Sequence, residues 1–562
     1  MIILGLTTAF HDSSAALVID GKIIAASEEE RFNREKHSDK FPINAIRFCL
    51  NKASVTINDV NEVVVGMDFV KRAKARFELR ASKEFPELTK KATEQARAGV
   101  NRKVEAESIL RDQFGYKGKI TFLDHYNCHA SACYFPSPFN KVAILILDGA
   151  GEKASARIYS AKGTKLKTLL QIDYPNSAGR FYGWITDYLG FKIDSDEGKI
   201  MGLAPYGDNS LVEEIRKVLK RKSDGTYNLD LSYFGFVRDN EKGVSDKFIK
   251  IFGPPRKKEE EITDRHKNIA KAAQVVLEES VLSMAKLAKK MTKEENLCFG
   301  GGVALNSVAN GKIAASGLFK DIYIYPDSGD GGTSVGAALY SYYSKQKKKV
   351  FYKENQSPFV GYEASESEIL DVLKKHKLKY TKPDNIYKET AKYISENKIV
   401  GWFSGRTEIG PRALGNRSIL ADPRDIKNKD RVNKKIKFRE SFRPFAPTVL
   451  EGFADEYFEI HGFKSPYMIL AFQVKKDKGK IIPAVTHVDN SARLQTVNKE
   501  QNERYWNLIN EFYKITKVPV VLNTSFNRAG EPIVNTPENA VQAFLGSDLD
   551  ILVLEDFLIV KI

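Results

Sequence analysis

One pattern recurs along this chain and limits its fold more than any other. An apolar strand is followed by a turn of small residues and a second strand running back. Residues 2–7 and 15–19 are apolar, Asp20-Gly21 is a hairpin signal, and residues 22–26 continue as a strand. The arrangement returns at residues 142–148 (VAILILD), which lead through Gly149, Ala150 and Gly151 into strand 154–159, a turn at 161–164 and strand 167–172. Two such hairpins predict an internally duplicated domain, alike in structure rather than in sequence. A chain of 562 residues also exceeds the roughly 250–300 residues that one core sustains, so a further domain is expected.

The boundary is expected in residues 345–358 (KQKKKVFYKENQSP), a polar, basic stretch between two apolar-rich regions. This divides the chain into a domain at 1–345, a linker at 346–358 and a second domain at 359–562, with strand candidates at 399–403, 518–522 and 551–554. Within the first domain, residues 69–114 favour helix by composition. Residues 269–291 place Ala273, Val276, Leu277, Val281, Leu282 and Ala285 at helical spacing. The longest apolar runs, 142–147 and 551–554, fall far short of the ~20 residues that span a bilayer. The opening MIILGLTTAFHDSS is expected to be a buried strand rather than a signal segment. Four cysteines (Cys49, Cys128, Cys133, Cys298) make no disulfide framework and no CxxC pair, as expected of reduced thiols in the cytoplasm. The formal charge of +16 favours anionic ligands. Much of that excess is lysine in clusters such as 217–222 and 345–349, which read as solvated faces, so nucleic-acid binding is not expected from charge alone.

Four constellations carry chemistry. His125 and His129 stand four apart, which puts both imidazoles on one helical face at a spacing that suits a shared metal ion. Asp148 ends an apolar strand beside glycines, where a carboxylate points into a crevice, and Asp330 sits in a similar Gly-rich turn. Two imidazoles and two carboxylates suit Fe(II), Mn(II) or Zn(II); a hydrogen-bonded core network is the alternative. The clusters 299–306 (FGGGVALN) and 329–336 (GDGGTSVG) each follow a strand-like segment and precede a helix, a setting in which backbone N–H groups approach phosphate. Neither is a Walker A motif. Residues 406–443 hold seven arginines (406, 412, 417, 424, 431, 439, 443) and five lysines against five acids, interleaved with Gly, Pro and Phe. Guanidinium forks suit bidentate phosphate binding. Lastly, His11 and Asp12 lie in the first strand-end loop, where an imidazole beside a carboxylate serves as a general base or merely caps backbone groups.

The segments GLTTAFHDSSAALVIDGKIIAASEEERFNREKHSDKFP, DHYNCHASACYFPSP, DEGKIMGLAPYG, GGVALN, GDGGTSVGAAL and GRTEIGPRALGNRSILADPR together resemble the nodulation-type O-carbamoyltransferase family over nearly the whole chain. That family includes enzymes acting on Nod-factor sugars, cephamycin and tobramycin. The resemblance implies an α/β chain. Its N-terminal domain would be a duplicated actin-like (sugar kinase-like, RNase H-like) domain, and its C-terminal domain an α+β domain similar to threonylcarbamoyl-adenylate synthases. It implies formation of carbamoyl-adenylate from ATP and carbamoyl phosphate, then transfer of the carbamoyl group to a hydroxyl of a small-molecule acceptor. Mg would accompany ATP, and Fe(II), or Mn or Zn, would be held by His125, His129, Asp148 and Asp330. Gly301, Gly302, Asn306 and Gly331 match the nucleotide side. Lys437, Arg443 and Arg493, with Arg417 and Arg528, match the phosphate-binding set, and His11, with Asp12 beside it, matches the base. A tRNA threonylcarbamoyl-adenosine-type enzyme, an actin-like ATP-binding module without transfer chemistry and a sugar kinase are the rival readings. The acceptor's identity and the oligomeric state, a homodimer included, stay open.

Overall fold

The computed structural model describes residues 1–8, 11–80, 86–235 and 243–561. These form two compact units, Met1–Ala26 with Asp39–Gln356, and Ser27–Ser38 with Ser357–Ile562.

The first unit is built on two sheets of one topology. Strands β1 (Ile2–Thr7), β2 (Ser14–Ile19), β3 (Lys22–Glu28), β4 (Glu62–Val65) and β5 (Lys119–Phe122) lie in the order β3-β2-β1-β4-β5. Strands β6 (Lys141–Leu147), β7 (Ala154–Lys162) and β8 (Lys165–Asp173) begin the second sheet. A small ribbon of β9 (Leu219–Arg221) and β10 (Tyr227–Leu229) follows, and then β11 (Asn296–Gly300) and β12 (Asp321–Ile324) complete the order β12-β11-β6-β7-β8. In each sheet the first strand runs antiparallel to the second and parallel to the fourth. Leu4 lies beside Leu17 and Val63, and Leu145 beside Ile158 and Phe299. The duplication expected from the hairpins is therefore present, as two sheets of matching strand order. The Asp20-Gly21 turn has both φ values positive, at 49° and 84°, the backbone that a tight two-residue hairpin demands. Strand β6 is buried at every residue after Lys141, which its unbroken apolar run foreshadows for a strand covered on both faces.

The helix expected at 269–291 runs from Asp264 to Thr292. The 69–114 region forms helices Phe69–Arg80 and Pro86–Ser108 and a further turn at Ile109–Gln113; residues 81–85 within that expectation lie outside the described residues.

The second unit contains an eight-stranded mixed sheet. Its strands are β13 (Val400–Phe403), β14 (Arg417–Ala421), β15 (Ala446–Leu450), β16 (Leu470–Gln473), β17 (Ser491–Val497), β18 (Val520–Ser525), β19 (Ile551–Leu554) and β20 (Phe557–Val560). They are ordered β16-β17-β15-β18-β14-β13-β19-β20. Helix Glu503–Thr516 buries Tyr505, Leu508, Ile509 and Phe512, one face at helical spacing. They pack in a core with Trp402, Leu420, Val521 and Val553. The sequence reading placed residues 1–345 in one domain. The structure differs at Ser27–Ser38, which packs with the second unit. That stretch is charged and short, so no periodicity marks it, yet Glu28 and Arg31 are buried. Among the described residues no helix is long and apolar enough to cross a membrane.

Candidate active site

Four side chains expected to share a metal converge in the first unit. His125 and His129 lie on helix His125–Tyr134, whose N-terminus is capped by Asp124 accepting from the Asn127 amide. Asp148 follows β6, and Asp330 opens the turn before helix Thr333–Ser344. The two Nε2 atoms are 3.0 Å apart. Asp330 Oδ1 lies 3.4 Å from each of them, and Asp148 Oδ2 lies 3.6 Å from His125 and 4.0 Å from His129. Donors bound at about 2.1 Å to one ion stand roughly 3.0–3.5 Å from each other, so the set fits a single divalent cation with small adjustments. The surrounding residues fit as well. His125 Nδ1 is 3.0 Å from the Gly66 carbonyl oxygen, so Nδ1 carries the hydrogen and Nε2 presents its lone pair inward. Asp148 Oδ1 accepts from the Gly302 amide at 2.7 Å, which turns Oδ2 toward the histidines. The mixed N/O donor set would suit a transition-metal ion.

Two close backbone approaches fix this geometry. A Cβ on Gly336 would lie 1.9 Å from the Cys128 carbonyl oxygen, so only glycine lets helix Thr333–Ser344 lie this near the histidine helix. Gly301, at φ 88°, would bring a Cβ within 2.2 Å of the Leu147 carbonyl oxygen. The Glu152 carboxylate accepts from the His125 amide and, at 2.8 Å, from the Asp68 amide, tying the histidine helix to the chain entering helix Phe69–Arg80. Glu152 lay outside the sequence reading, since nothing in GAGEK marks it as a hub.

His11 sits at the edge of the cluster. Its Nε2 is 3.7 Å from Asp330 Oδ2 and its Nδ1 is 2.9 Å from Asp12 Oδ2. Burial pulls this imidazole down, and Asp330 and Asp12 outweigh it, lifting it to about 10. Burial and the neighbouring Asp330 push the Asp148 carboxyl up, and the His125 and His129 contacts carry it down to about 2. Asp330 is opposed by burial too, yet His125 and His11 hold it well below the carboxylate range. Thr7, Thr8, Val65, Gly66 and Met67 line a small cavity with His11, His125 and Asp330. The nucleotide-side residues serve internal contacts. Gly302 orients Asp148, and the Gly331 carbonyl accepts from Ser14 Oγ at 2.6 Å. Asn306 caps helix Ser307–Ala315 and bonds Gln274.

The second unit concentrates guanidinium groups. Arg493 is drawn well below its ordinary value by burial and by Arg412, Arg439 and Arg443, so these four share one neighbourhood. Burial and Arg443 lower Arg439 to about 9 and Arg412 to about 10. Arg412 Nε, Arg439 Nη2 and Arg493 Nε are buried without a hydrogen-bond partner. Buried donors are rarely left unpaired, and like charges gather where an anion is to be held. Lys437 stands nearby, donating to the Asn527 carbonyl at 3.1 Å and to Ser525 Oγ at 3.2 Å, and it is lowered by burial and by Arg439 and Arg443.

Two arginines from the sequence reading lie elsewhere. Arg417 is fully buried over the Phe403 ring, its fork donating to the carbonyls of Ser404, Asn416 and Tyr362. Arg528 pairs with Glu531 on the surface. Arg412 and Arg439, outside the expected set, stand near Arg443 and Arg493 instead. Both lie in the arginine-dense stretch, but spacing does not separate an arginine whose Nη groups meet carbonyls from one that stands among other arginines.

A unit of two like-ordered sheets, with a His/Asp cluster that could hold a metal ion, is joined in one chain to an α/β unit that gathers buried guanidinium groups, three of them with an N–H that has no hydrogen-bond partner. The "Carbamoyltransferase N-terminus" family model matches residues 2–339, and "Carbamoyltransferase C-terminus" matches residues 391–561. Nodulation protein NolNO of Sinorhizobium fredii is 36% identical over 99% of this chain and 79% of that protein. An uncharacterized Synechocystis protein, sll1178, is 38% identical over 100% of this chain and 96% of its own length. An uncharacterized Methanocaldococcus jannaschii protein, MJ1051, is 33% identical over 98% of each. The chain belongs to the carbamoyltransferase family and is a transferase.

Proposed function

We propose that the protein is an ATP-dependent O-carbamoyltransferase that works in two stages. The observation that carries this reading is the guanidinium cluster, whose unpaired N–H groups ask for a compound with several anionic oxygens. In the first stage the second unit binds carbamoyl phosphate and ATP. One water is consumed, inorganic phosphate leaves, and the carbamate oxygen attacks the α-phosphorus of ATP, expelling pyrophosphate and forming carbamoyl-adenylate. Arg412, Arg439, Arg443 and Arg493 bind and orient the phosphate oxygens, and the charge they spread over those oxygens favours departure of the leaving groups.

In the second stage the first unit transfers the carbamoyl group to an acceptor hydroxyl. The hydroxyl oxygen bonds to the carbamoyl carbon, the bond to the adenylate oxygen breaks, and AMP leaves. His11, with Asp12 on its Nδ1 side, is placed to accept the hydroxyl proton. His125, His129, Asp148 and Asp330 would hold a divalent cation, with Fe(II) the family expectation and Mg accompanying ATP. When bound, such a cation would supply Lewis-acid polarisation of the carbamoyl group and would offset the carboxylate charge that keeps His11 protonated. The acceptor is a hydroxylated small molecule. The test is formation of AMP and pyrophosphate from ATP with and without carbamoyl phosphate, in metal-loaded and chelated protein. Cleavage between the α- and β-phosphates that depends on carbamoyl phosphate is the expected result; ADP as the product would overturn it in favour of kinase-like chemistry.

A further inference from the structure

The loop 409–416, which carries Arg412, contains neither helix nor strand, yet buried side chains hold its backbone almost residue by residue. Glu408 Oε1 accepts from the amides of Leu414 at 2.8 Å, Asn416 at 2.8 Å and Arg417 at 3.1 Å. Asn523 donates to the Ala413 carbonyl at 3.1 Å, Gln495 to that of Leu414 at 2.9 Å, and Trp402 Nε1 to that of Gly415 at 2.9 Å. All of these partners come from the second unit's own stretch of sequence. The remaining anchor comes from far away in the chain. The Gly410 amide donates to Glu28 Oε1 at 2.6 Å, and the Gly410 carbonyl accepts from Arg31 Nη2 at 2.6 Å, partners 382 and 379 residues distant in sequence. Glu28 and Arg31 are themselves paired, Nε to Oε2, at 3.3 Å. Arg31 is only 1% exposed, and burying an ion pair is costly unless further hydrogen bonds offset the lost hydration. Here those bonds grip both polar ends of residue 410, two before Arg412.

The same segment grips a second loop. Arg34 Nη1 donates to the Ile533 carbonyl at 2.7 Å and Nη2 to that of Pro532 at 2.8 Å. This loop begins with Asn527, which receives Lys437. We propose that Glu28, Arg31 and Arg34 are positioning residues of the second unit's anion site: a staple that fixes the loops bearing Arg412 and Asn527. This rests on the reading of the arginine cluster as the carbamoyl phosphate and ATP site. Lysine cannot replace Arg31, because one ammonium does not reproduce a fork that reaches Glu28 and the Gly410 carbonyl together.

The experiment uses the full chain with inorganic phosphate and carbamoyl phosphate as probes, measured by titration calorimetry, with metal content as the control on the first unit. Arg31→Lys is expected to weaken phosphate binding at least ten-fold while metal content stays at the wild-type level. Arg412→Ala is expected to weaken it similarly, and the double variant to be no weaker than Arg412→Ala alone, because Arg31 acts through Arg412. A purely structural role for Arg31 would instead give additive losses. Should Arg31→Lys fold poorly, Glu28→Gln, which keeps an acceptor for the Gly410 amide and removes the ion pair, carries the same cycle. Variants that bind phosphate within two-fold of wild type, or losses that add, overturn the staple alone. A wild-type chain that binds neither probe overturns the anion-site reading and the staple with it.

Discussion

Asp148 has two oxygens with separate duties: the Gly302 amide takes Oδ1, and Oδ2 faces the two histidines. Asp148→Asn keeps an oxygen for Gly302 but loses the charge, and His129→Ala removes one of the two imidazole donors. Both are expected to lower bound metal at least ten-fold in elemental analysis of the purified protein; stoichiometric metal in both would remove the centre. Arg493 gives a prediction of opposite sign for stability. Its charge is crowded by Arg412, Arg439 and Arg443, so Arg493→Ala relieves repulsion. Its melting temperature without anion is expected to equal or exceed that of wild type, while the Kd for carbamoyl phosphate rises at least ten-fold, about 1.4 kcal/mol. A lowered melting temperature with unchanged affinity would contradict the assignment. At this scale the convergence of His125, His129, Asp148 and Asp330 was legible, because a four-residue spacing and a strand-end carboxylate are geometric statements made by sequence alone. The arginines were legible only as a group. Whether the two Nη groups of a fork meet backbone carbonyls, as in Arg417, or the guanidinium stands among other arginines, as in Arg412, depends on loops folded from distant segments.

Two elements meet through Gly336, and the position of Asp330 depends on that meeting. Gly336→Val forces helix Thr333–Ser344 away from the Cys128 carbonyl and is expected to cost about 2–4 kcal/mol in denaturant unfolding, with weaker metal uptake as well. Unfolding within about 0.5 kcal/mol of wild type would show that the helices part easily. Glu62 ties strands to helix in the same unit. Its carboxylate accepts from Thr121 at 2.6 Å and Ser341 at 2.6 Å, and pairs with Lys119 and Lys345. Burial pushes this carboxyl up, and those partners bring it down to about 2. A depressed acid contributes stability that is complete above its unfolded value, near 4.5, and is lost as pH falls through about 2. Glu62→Gln is therefore expected to lose roughly 1–3 kcal/mol at neutral pH and to have a flatter acid limb; parallel acid-denaturation curves would refute this. The strands of the first unit were readable from their apolar runs. In the second unit 399–403, 518–522 and 551–554 were readable, but β14 opens on an arginine and β17 mixes Arg493, Gln495 and Thr496 with Leu494 and Val497, so burial there is set by neighbours rather than by composition.

At the scale of the whole molecule, a divalent cation held by His125, His129, Asp148 and Asp330 would tie the stability of the first unit to its concentration. At a free concentration 100 times its Kd, such a cation stabilises the fold that binds it by about 2.7 kcal/mol. Calorimetry is expected to show chelation lowering one transition while added phosphate raises another; one transition moved equally by both would contradict separate sites. The duplicated topology was legible. The excursion of Ser27–Ser38 was not, because its charged residues look like a surface until Gly410 is folded around them. That excursion also sets an order of events during synthesis. At ~5–20 residues per second, the ribosome delivers Arg31 roughly 20–80 seconds before Gly410 exists to receive it. Residues 357–562 alone would lack the bonds to Gly410, Pro532 and Ile533, and a gene divided after residue 356 would leave Glu28, Arg31 and Arg34 on the other product.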